Sequence, residues 1–230
     1  GVRARVGGIL LKRNYVEGAE VSEGQVLFEI DPDTYRVALN QAKAKLAQTE
    51  AELKNAETQL ARTEKLFKQG YASEKSRDDA VANADSLKAA LQSAQAAVDA
   101  AQLNLDYTQV KAPISGLTSM EVQSEGSLIS TSGEGGLLTH ITQLNPIYVM
   151  FSMSETEMMK MAEMIEKGYL AQPQRKDQIK AKLNAGDGWQ YPQAGDIDFV
   201  NPTVDQETGT IKLRAVFDNP KGRIRPGQFL

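Results

Sequence analysis

The stretch from Tyr35 to Phe67 reads YRVALNQAKAKLAQTEAELKNAETQLARTEKLF, and it decides the fold of this 230-residue chain. Small or apolar residues recur in it at alternating steps of three and four, and the same repeat returns between Ala80 and Leu105. A repeat of about 3.5 residues, sustained over more than three heptads, predicts a coiled coil with a left-handed supercoil. The repeat positions are Tyr35, Leu39, Ala42, Leu46, Thr49, Leu53, Ala56, Leu60, Thr63 and Phe67 in the first stretch, and Ala80, Ala84, Leu87, Leu91, Ala94, Val98, Ala101 and Leu105 in the second. No Pro or Gly interrupts either stretch, so two long helices are expected.

Both stretches end on signals that are typical of helix termini. Asp31-Pro32 is suited to cap the first helix, and Gly70 follows a cationic last turn as a C′ residue. Ser73 is suited to cap the second helix, which has acidic residues near its start. Because the connection is short, the helices must run antiparallel, each about 34 residues and roughly 50 Å long. The sequence therefore predicts a long two-helix hairpin.

The segments on either side of the hairpin repeat one pattern. Gly8 is followed nine residues later by Glu17-Gly18, and Gly116 is followed nine residues later by Glu125-Gly126. Short apolar segments with Gly at the corners predict β-strands, and neither segment is long enough to build a core alone. We therefore expect two half-motifs that close on each other at the base of the hairpin.

The last third of the chain predicts a further β-rich unit. Ser154-Glu155-Thr156-Glu157 is a capping box that opens a short helix ending near Gly168. Strands are expected at Pro146–Met153, Gln178–Leu183, Ile197–Val200 and Thr210–Phe217, with turns at Gly186-Asp187-Gly188 and Glu207-Thr208-Gly209. Several strands with one helix predict a small β-barrel, which we expect to be incomplete because its last strand is cut off.

Composition excludes several classes of function. Hydrophobic residues make up 41% and charged residues 24%, as in ordinary globular proteins, and the net charge of −4 disfavours a nucleic-acid binder. With no Cys and only His140, which we expect in a strand, neither a thiol nucleophile nor a transition-metal site is predicted. No apolar run approaches the roughly 18 residues of a membrane span. The chain begins at Gly1 without Met, so we expect a fragment whose signal peptide or anchor would lie upstream.

Five stretches of sequence carry a resemblance to a known family. They are Gly8–Asn14 (GILLKRN) with Glu17-Gly18, Ile30–Tyr35 (IDPDTY), Leu105–Gly116 (LDYTQVKAPISG), Leu144–Val149 (LNPIYV) and Thr203–Thr210 (TVDQETGT). In this order they resemble the periplasmic adaptors, or membrane fusion proteins, of resistance-nodulation-division (RND) multidrug efflux pumps. The AcrA/MexA-like branch is the most similar, and the resemblance covers nearly the whole chain.

The resemblance implies an α+β multidomain fold. A long antiparallel coiled-coil hairpin would be inserted in a split lipoyl-like β-sandwich, followed by a small β-barrel with one helix. The lipoyl-like domain would comprise residues 1–31 plus 107–141, the hairpin residues 32–106, and the barrel residues 142–230. A fourth, membrane-proximal domain is built in the family from both chain ends and would be absent here.

The resemblance also implies a function. The protein would be a structural adaptor, not an enzyme and without a cofactor. It would link an inner-membrane, proton-driven RND transporter to a TolC-like outer-membrane exit channel for multidrug efflux. Six copies would form a ring with their hairpins side by side. The protein would lie in the periplasm of a Gram-negative bacterium, with the full-length chain anchored to the inner membrane.

The predicted docking site lies at the hairpin tip. The family's tip signature is an Arg, a Leu four residues later and a Ser seven after that, and Arg62, Leu66 and Ser73 fit this spacing. The resemblance implies that these residues engage the exit channel. Arg62 and Leu66 also lie off the seam, and their spacing puts them on one outward face. A plain N-cap for Ser73 and a solvated charge for Arg62 remain open alternatives.

Two other functions share parts of this pattern. An adaptor of a type I secretion system or an ATP-driven tripartite exporter has the same plan. A lipoyl or biotin carrier subunit would explain Met159-Lys160-Met161, which looks like a biotin attachment motif. The carrier Lys belongs, however, in the turn that here holds the hairpin. Met158, Met161, Met164 and Ile165 have helical spacing, which predicts a stripe facing the core.

Overall fold

The computed structural model describes residues 1–168, 180–184 and 190–229. The chain divides into two compact units: Gly1–Pro113 with Thr118–His140, and Ile114–Leu117 with Ile141–Leu230. The predicted strand Gln178–Leu183 is described only from residue 180 onward. The predicted turn Gly186-Asp187-Gly188 lies outside the described residues.

The predicted hairpin is present as two long α-helices. Helix α1 spans Asp33–Lys68 and helix α2 spans Glu74–Asp106, with 36 and 33 residues respectively. At the start of α1 the carboxylate of Asp31 accepts a hydrogen bond from the backbone N–H of Asp33 at 3.0 Å. The N-cap residue is Pro32, which makes no side-chain cap bond, so Asp31 binds the first backbone donor of α1 from the position before the cap.

Burial along the helices follows the predicted heptads. Every repeat position named above is buried or half-buried, and every other residue between 36 and 66 is exposed. The two buried threonines of α1, Thr49 and Thr63, each donate a hydroxyl hydrogen bond to the carbonyl oxygen four residues earlier, at 3.0 and 2.9 Å. Polar atoms on the seam are thus satisfied without a partner on α2. The predicted coiled-coil register is confirmed.

Short strands make up the rest of the first unit. The strands are β1 (Val2–Arg3), β2 (Gly8–Arg13), β3 (Glu20–Val21), β4 (Val26–Ile30), β5 (Gln109–Lys111), β6 (Gly116–Thr118), β7 (Leu128–Ile129), β8 (Leu137–Thr139) and β9 (Ile141–Thr142). Two of the nine strands up to residue 142 involve the second unit: β6 begins in it and β9 belongs to it. One sheet has the order β5-β4-β2-β7, and β1 pairs with β8. Phe28, Leu10 and Ile129 are among the largest fully buried side chains and fill the interior of this unit.

The two half-motifs exchange backbone hydrogen bonds. Leu10 of the first half donates to the carbonyl of Ser127 at 2.9 Å and accepts from the N–H of Gly126 at 2.7 Å. The second half reciprocates: Thr118 donates to the carbonyl of Ala19 at 3.0 Å and accepts from the N–H of Gly18 at 3.2 Å. Strand β2 therefore pairs with a segment of the second half-motif, and strand β6 pairs with a segment of the first. Neither half-motif can form all of its backbone hydrogen bonds alone.

Two glutamates reinforce this exchange with a second reciprocal pair of bonds. The Glu125 carboxylate accepts from the backbone N–H of Arg13 at 2.7 Å, and the Glu17 carboxylate accepts from the backbone N–H of Glu121 at 2.7 Å. The Arg13 guanidinium lies 2.8 Å from Glu17 and 3.4 Å from Glu121. We call these two carboxylate–amide bonds the glutamate clasps. They explain why a Glu precedes the Gly in both halves.

The glycines after these glutamates have the backbone angles that the repeat predicts. Gly18 has a φ of +73° and Gly126 a φ of +85°, both in the left-handed region that favours glycine. An added Cβ would meet no atom within 4 Å at either position. A larger residue would therefore be opposed by its backbone conformation and not by a steric clash.

The described residues of the second unit form a four-stranded antiparallel sheet and one helix. Its elements are β10 (Ile147–Ser154), α3 (Glu155–Glu166), β11 (Lys180–Ala181), β12 (Gly195–Val200) and β13 (Thr210–Phe217), and the sheet order is β10-β13-β12-β11. The predicted capping box at Ser154 and Glu157 is confirmed. The core comprises Ile147, Leu183, Tyr191, Ile197, Leu213, Ala215, Phe217 and Ile224. Strands β10 and β13 pair along their whole lengths, which orders this core.

Two expectations are wrong: the core-facing stripe of α3 and the strand position of His140. Met158, Met161 and Ile165 are half-buried, but Met164 is 45% exposed, so the predicted core-facing stripe of α3 is incomplete. No residue of α3 is buried, and among the described elements this helix packs mainly against β10. His140 is exposed and lies between β8 and β9 rather than in a strand.

Candidate functional site

The hairpin tip is a tightly hydrogen-bonded turn. After α1 ends, Gly70 adopts a φ of +78°, and its N–H donates to the carbonyl of Phe67 at 2.9 Å. The N–H of Tyr71 donates to the carbonyl of Leu66, also at 2.9 Å. These two bonds define a Schellman motif, which satisfies carbonyls left without partners at the end of a helix. The predicted role of Gly70 as the residue that ends α1 is confirmed.

Ser73 performs the capping role that its position predicts. It has an extended backbone, and its hydroxyl accepts a hydrogen bond from the backbone N–H of Ser76 at 3.1 Å. The side chain is therefore engaged with the first turn of α2. Ser73 is nevertheless exposed, and its predicted role in engaging the exit channel stays a prediction.

Arg62 and Leu66 both point away from the seam, as predicted. Leu66 is 39% exposed, whereas its neighbours Thr63 and Phe67 are buried and half-buried. Arg62 is exposed, and within the described ranges it forms no ion pair. The structure thus brings an aliphatic side chain and a cation to one outward face near the turn. Their docking role stays a prediction.

Two features of the tip were missed by the sequence reasoning. Tyr71 lies directly after Gly70 and is 80% exposed. Arg77 of α2 lies over the Phe67 ring of α1, with its guanidinium carbon 4.7 Å from the ring centroid. The sequence did contain a signal for Tyr71. It is an aromatic residue at the second position after the helix cap, and that position commonly contacts the last turn of the helix. Nothing in the sequence indicates the contact between Arg77 and Phe67.

Arg77 is held in place by carboxylates on its own helix. Its guanidinium lies 2.7 Å from Asp78 and 3.5 Å from Glu74. Hydrogen bonding to Asp78 raises the pKa of Arg77 further above its ordinary value, so the group is charged at any physiological pH. A cation over an aromatic face is attracted by the ring quadrupole. The contact therefore ties the end of α1 to the start of α2 across the turn.

Two other kinds of functional feature are not found in the described part of the chain. None of its helices is both long and apolar enough to cross a membrane. Across the same residues, no group of three or more His, Asp or Glu side chains is arranged to hold a metal ion.

Two family models match the chain, one on the hairpin of the first unit and one on the second unit. Residues 38–108 match the RND MFP alpha-helical hairpin domain, and residues 146–230 match the beta-barrel domain of RND MFPs. The chain belongs to the RND membrane fusion proteins. The first match covers most of helices α1 and α2, and the second covers strands β10 to β13 and helix α3.

Relatives of this RND membrane fusion protein are efflux pump components. The chain is 48% identical over 230 residues to the efflux pump periplasmic linker BepD of Brucella suis, and 39% identical over 229 residues to the multidrug efflux pump subunit AcrA of Escherichia coli. In both comparisons all of this chain is covered, together with 57% of the relative. The chain thus spans a little more than half the length of these relatives.

Solved structures agree on the fold. MacA of Actinobacillus actinomycetemcomitans superposes with a TM-score of 0.68 at 22% identity, covering 98% of this chain and 71% of MacA. A MacA–MexA chimera that contains the alpha-hairpin domain of Pseudomonas aeruginosa MexA gives a TM-score of 0.61 at 24% identity, covering 97% and 72%. At this level of identity the likeness supports the fold alone.

Proposed function

We propose that the full-length protein is a structural periplasmic adaptor that links an inner-membrane RND transporter to an outer-membrane exit channel for multidrug efflux. The observation that carries the proposal is a long hairpin that ends in a rigid turn and presents Leu66 and Arg62 outward. The matches of residues 38–108 and 146–230 to domains of RND membrane fusion proteins support it. The names of BepD and AcrA point to the same role.

The proposal includes a domain assignment. Residues 32–106 form the hairpin, residues 1–31 plus 107–141 form the lipoyl-like domain, and residues 142–230 belong to the β-barrel domain. The reciprocal backbone bonds between the two half-motifs support the split lipoyl-like domain. The match of residues 146–230 to the beta-barrel domain supports the last boundary.

We propose further that six copies assemble into a ring with their hairpins side by side. Helix α2 carries a second heptad stripe on its solvent side, where every residue is exposed and all but the last are small. The stripe consists of Ala82, Ser86, Ala89, Ser93, Ala96, Ala100 and Leu103. Small residues on such a stripe allow a neighbouring helix to approach closely, and a thin hairpin gains burial from that neighbour.

The adaptor acts without catalysis or a cofactor, in the periplasm of a Gram-negative bacterium, with the full-length chain anchored to the inner membrane. The transporter supplies the energy, and the adaptor aligns the channel with it. The names of BepD, a periplasmic linker, and AcrA, a pump subunit, support a non-enzymatic role. The periplasmic naming of BepD supports the compartment.

The tip assignment is tested by the double substitution Leu66→Ser, Arg62→Asp in the full-length protein. We expect cells that carry the variant to lose drug efflux, measured as increased accumulation of ethidium. Melting of the purified protein should barely change, because exposed substitutions usually stay within about 0.5 kcal/mol. The matched control is Val37→Ser, Lys54→Asp, which alters an exposed apolar residue and an exposed cation of the same helix away from the tip.

Normal efflux by a well-expressed Leu66→Ser, Arg62→Asp variant would refute the tip assignment. Loss of efflux by the Val37→Ser, Lys54→Asp control as well would point to a general defect of the hairpin. The carrier-subunit alternative is addressed by intact-mass measurement. Lys160 is exposed on α3, and an added biotinyl or lipoyl mass on it would favour that alternative.

A further inference from the structure

Tyr71 and Leu66 are brought together by the geometry of the turn. In a Schellman motif the second residue after the cap commonly contacts the third residue before it through apolar side chains. Here these two positions are Tyr71 and Leu66, and they share the hydrogen bond from the Tyr71 N–H to the Leu66 carbonyl. The two side chains are 80% and 39% exposed respectively. An aromatic ring and an aliphatic side chain thus lie exposed at the extremity of the hairpin.

Hydrogen bonds fix the backbone at Leu66 and Tyr71. The backbone of the turn is closed by the two Schellman bonds, and the Ser73 cap orders the first turn of α2. The contact of Arg77 with Phe67 joins the two helices directly beneath the turn. Because the tip is already ordered, little conformational entropy is lost when a partner binds it.

Charge limits the kind of partner that fits the pair. Arg62, Lys65 and Lys68 are exposed around Leu66, and none of them forms an ion pair with another described residue. The nearby acids Glu74 and Asp78 are engaged by Arg77, and the exposed Glu64 is the acid among the last turns of α1. Because three cations stand against this one acid, the α1 side of the tip carries a net positive charge. Two copies of this tip would repel each other, whereas a surface rich in carboxylate or carbonyl oxygens would attract it.

We propose that Tyr71 and Leu66 form one apolar contact that enters an apolar socket bordered by oxygen acceptors on the periplasmic end of the outer-membrane channel. The inference rests on the proposed function and adds Tyr71 to the residues that make the contact. A tyrosine supplies large, rigid contact area, and truncation of such residues accounts for much of the binding energy at protein interfaces. The side chains of Arg62, Lys65 and Lys68 then donate hydrogen bonds to the oxygen acceptors around the socket.

The test compares Tyr71→Ser, Tyr71→Phe and the control Val37→Ser in the full-length protein, expressed with its transporter and channel. We expect Tyr71→Ser to weaken binding to the purified channel roughly tenfold and to raise ethidium accumulation in cells. Tyr71→Phe should retain most of the binding, because it keeps the ring. Val37→Ser should behave as wild type, although it also removes an exposed apolar side chain. All three proteins should melt alike.

The outcomes separate this inference from the proposed function. If Leu66→Ser abolishes efflux while Tyr71→Ser binds and exports as wild type, the inference is wrong and the proposed function stands. If both variants export normally, the docking role of the tip is wrong as well. A Tyr71→Cys variant tests whether the tip instead contacts the tip of a second copy. Residues 1–230 contain no Cys, so a disulfide within this region could form only at the introduced residue. A disulfide between two copies at this position would overturn the proposal in favour of tip-to-tip contact.

Discussion

Leu53→Ala is the change that most directly examines the coiled-coil seam. Leu53 lies near the middle of α1 and is 9% exposed, and its seam neighbours Thr49 and Ala56 are also buried. The substitution removes roughly three carbon groups from the interface at about 0.8 kcal/mol each, or about 2.4 kcal/mol for a site that is fully shielded from water. In a closed core the cavity that is left behind raises the cost to about 2–5 kcal/mol.

A two-helix interface has no third layer, so water can reach the vacated space and the added cost of an empty cavity is largely absent. We therefore expect Leu53→Ala to lower the free energy of unfolding by about 2 kcal/mol, at the lower end of the range for buried leucines. For a chain of this length that corresponds to a fall in Tm of roughly 4–8 °C. Far-ultraviolet circular dichroism measures it directly, because the two helices dominate the helical signal.

The matched control is Lys54→Ala, which changes the adjacent, exposed residue of the same helix. It should shift the free energy of unfolding by no more than about 0.5 kcal/mol, because exposed substitutions rarely do more and Ala is a strong helix former. Equal melting shifts for the two variants would refute the heptad register. A shift for Leu53→Ala well above 5 kcal/mol would mean that this position is enclosed by more than two helices.

Two further predictions concern the split sandwich. Gly126→Val and Gly18→Val should each destabilise the sheet by about 1–2 kcal/mol through the left-handed backbone alone, as measured by urea unfolding, since open space surrounds both positions; an unchanged midpoint for either would contradict this. Glu125→Ala should remove one glutamate clasp and lower stability by about 1 kcal/mol, whereas Glu20→Ala, an exposed glutamate outside the clasps, should have no effect. Faster hydrogen exchange at the Arg13 amide would accompany the loss of the clasp, and unchanged exchange there would argue against it.

Elements built from local periodicity were determined by the sequence alone. The heptads of α1 and α2, the Gly70 turn, the Ser73 cap and the Ser154 capping box all depend on residues within a few positions of one another. For such elements the hydrogen bonds and the burial pattern are set by short-range geometry, and the structure confirms each of them. Gly18 and Gly126 also indicated that the two half-motifs repeat one pattern, because a turn with left-handed backbone angles favours glycine in both copies.

Contacts between distant residues were decided only by the tertiary structure. The glutamate clasps join Glu125 to Arg13 and Glu17 to Glu121, and a spacing of about a hundred residues leaves no local trace of such a bond. The exposure of Met164 depends on what packs against α3, which its helical spacing cannot reveal.

The tip combines both kinds of information. Residue spacing places Leu66 off the seam, because a helix face repeats every few residues. Whether Tyr71 stands beside it depends on how the chain leaves the helix, and the support from Arg77 depends on how two helices meet. Sequence periodicity determines which way a residue faces, whereas its neighbours are set by the packing of elements that the chain brings together from far apart.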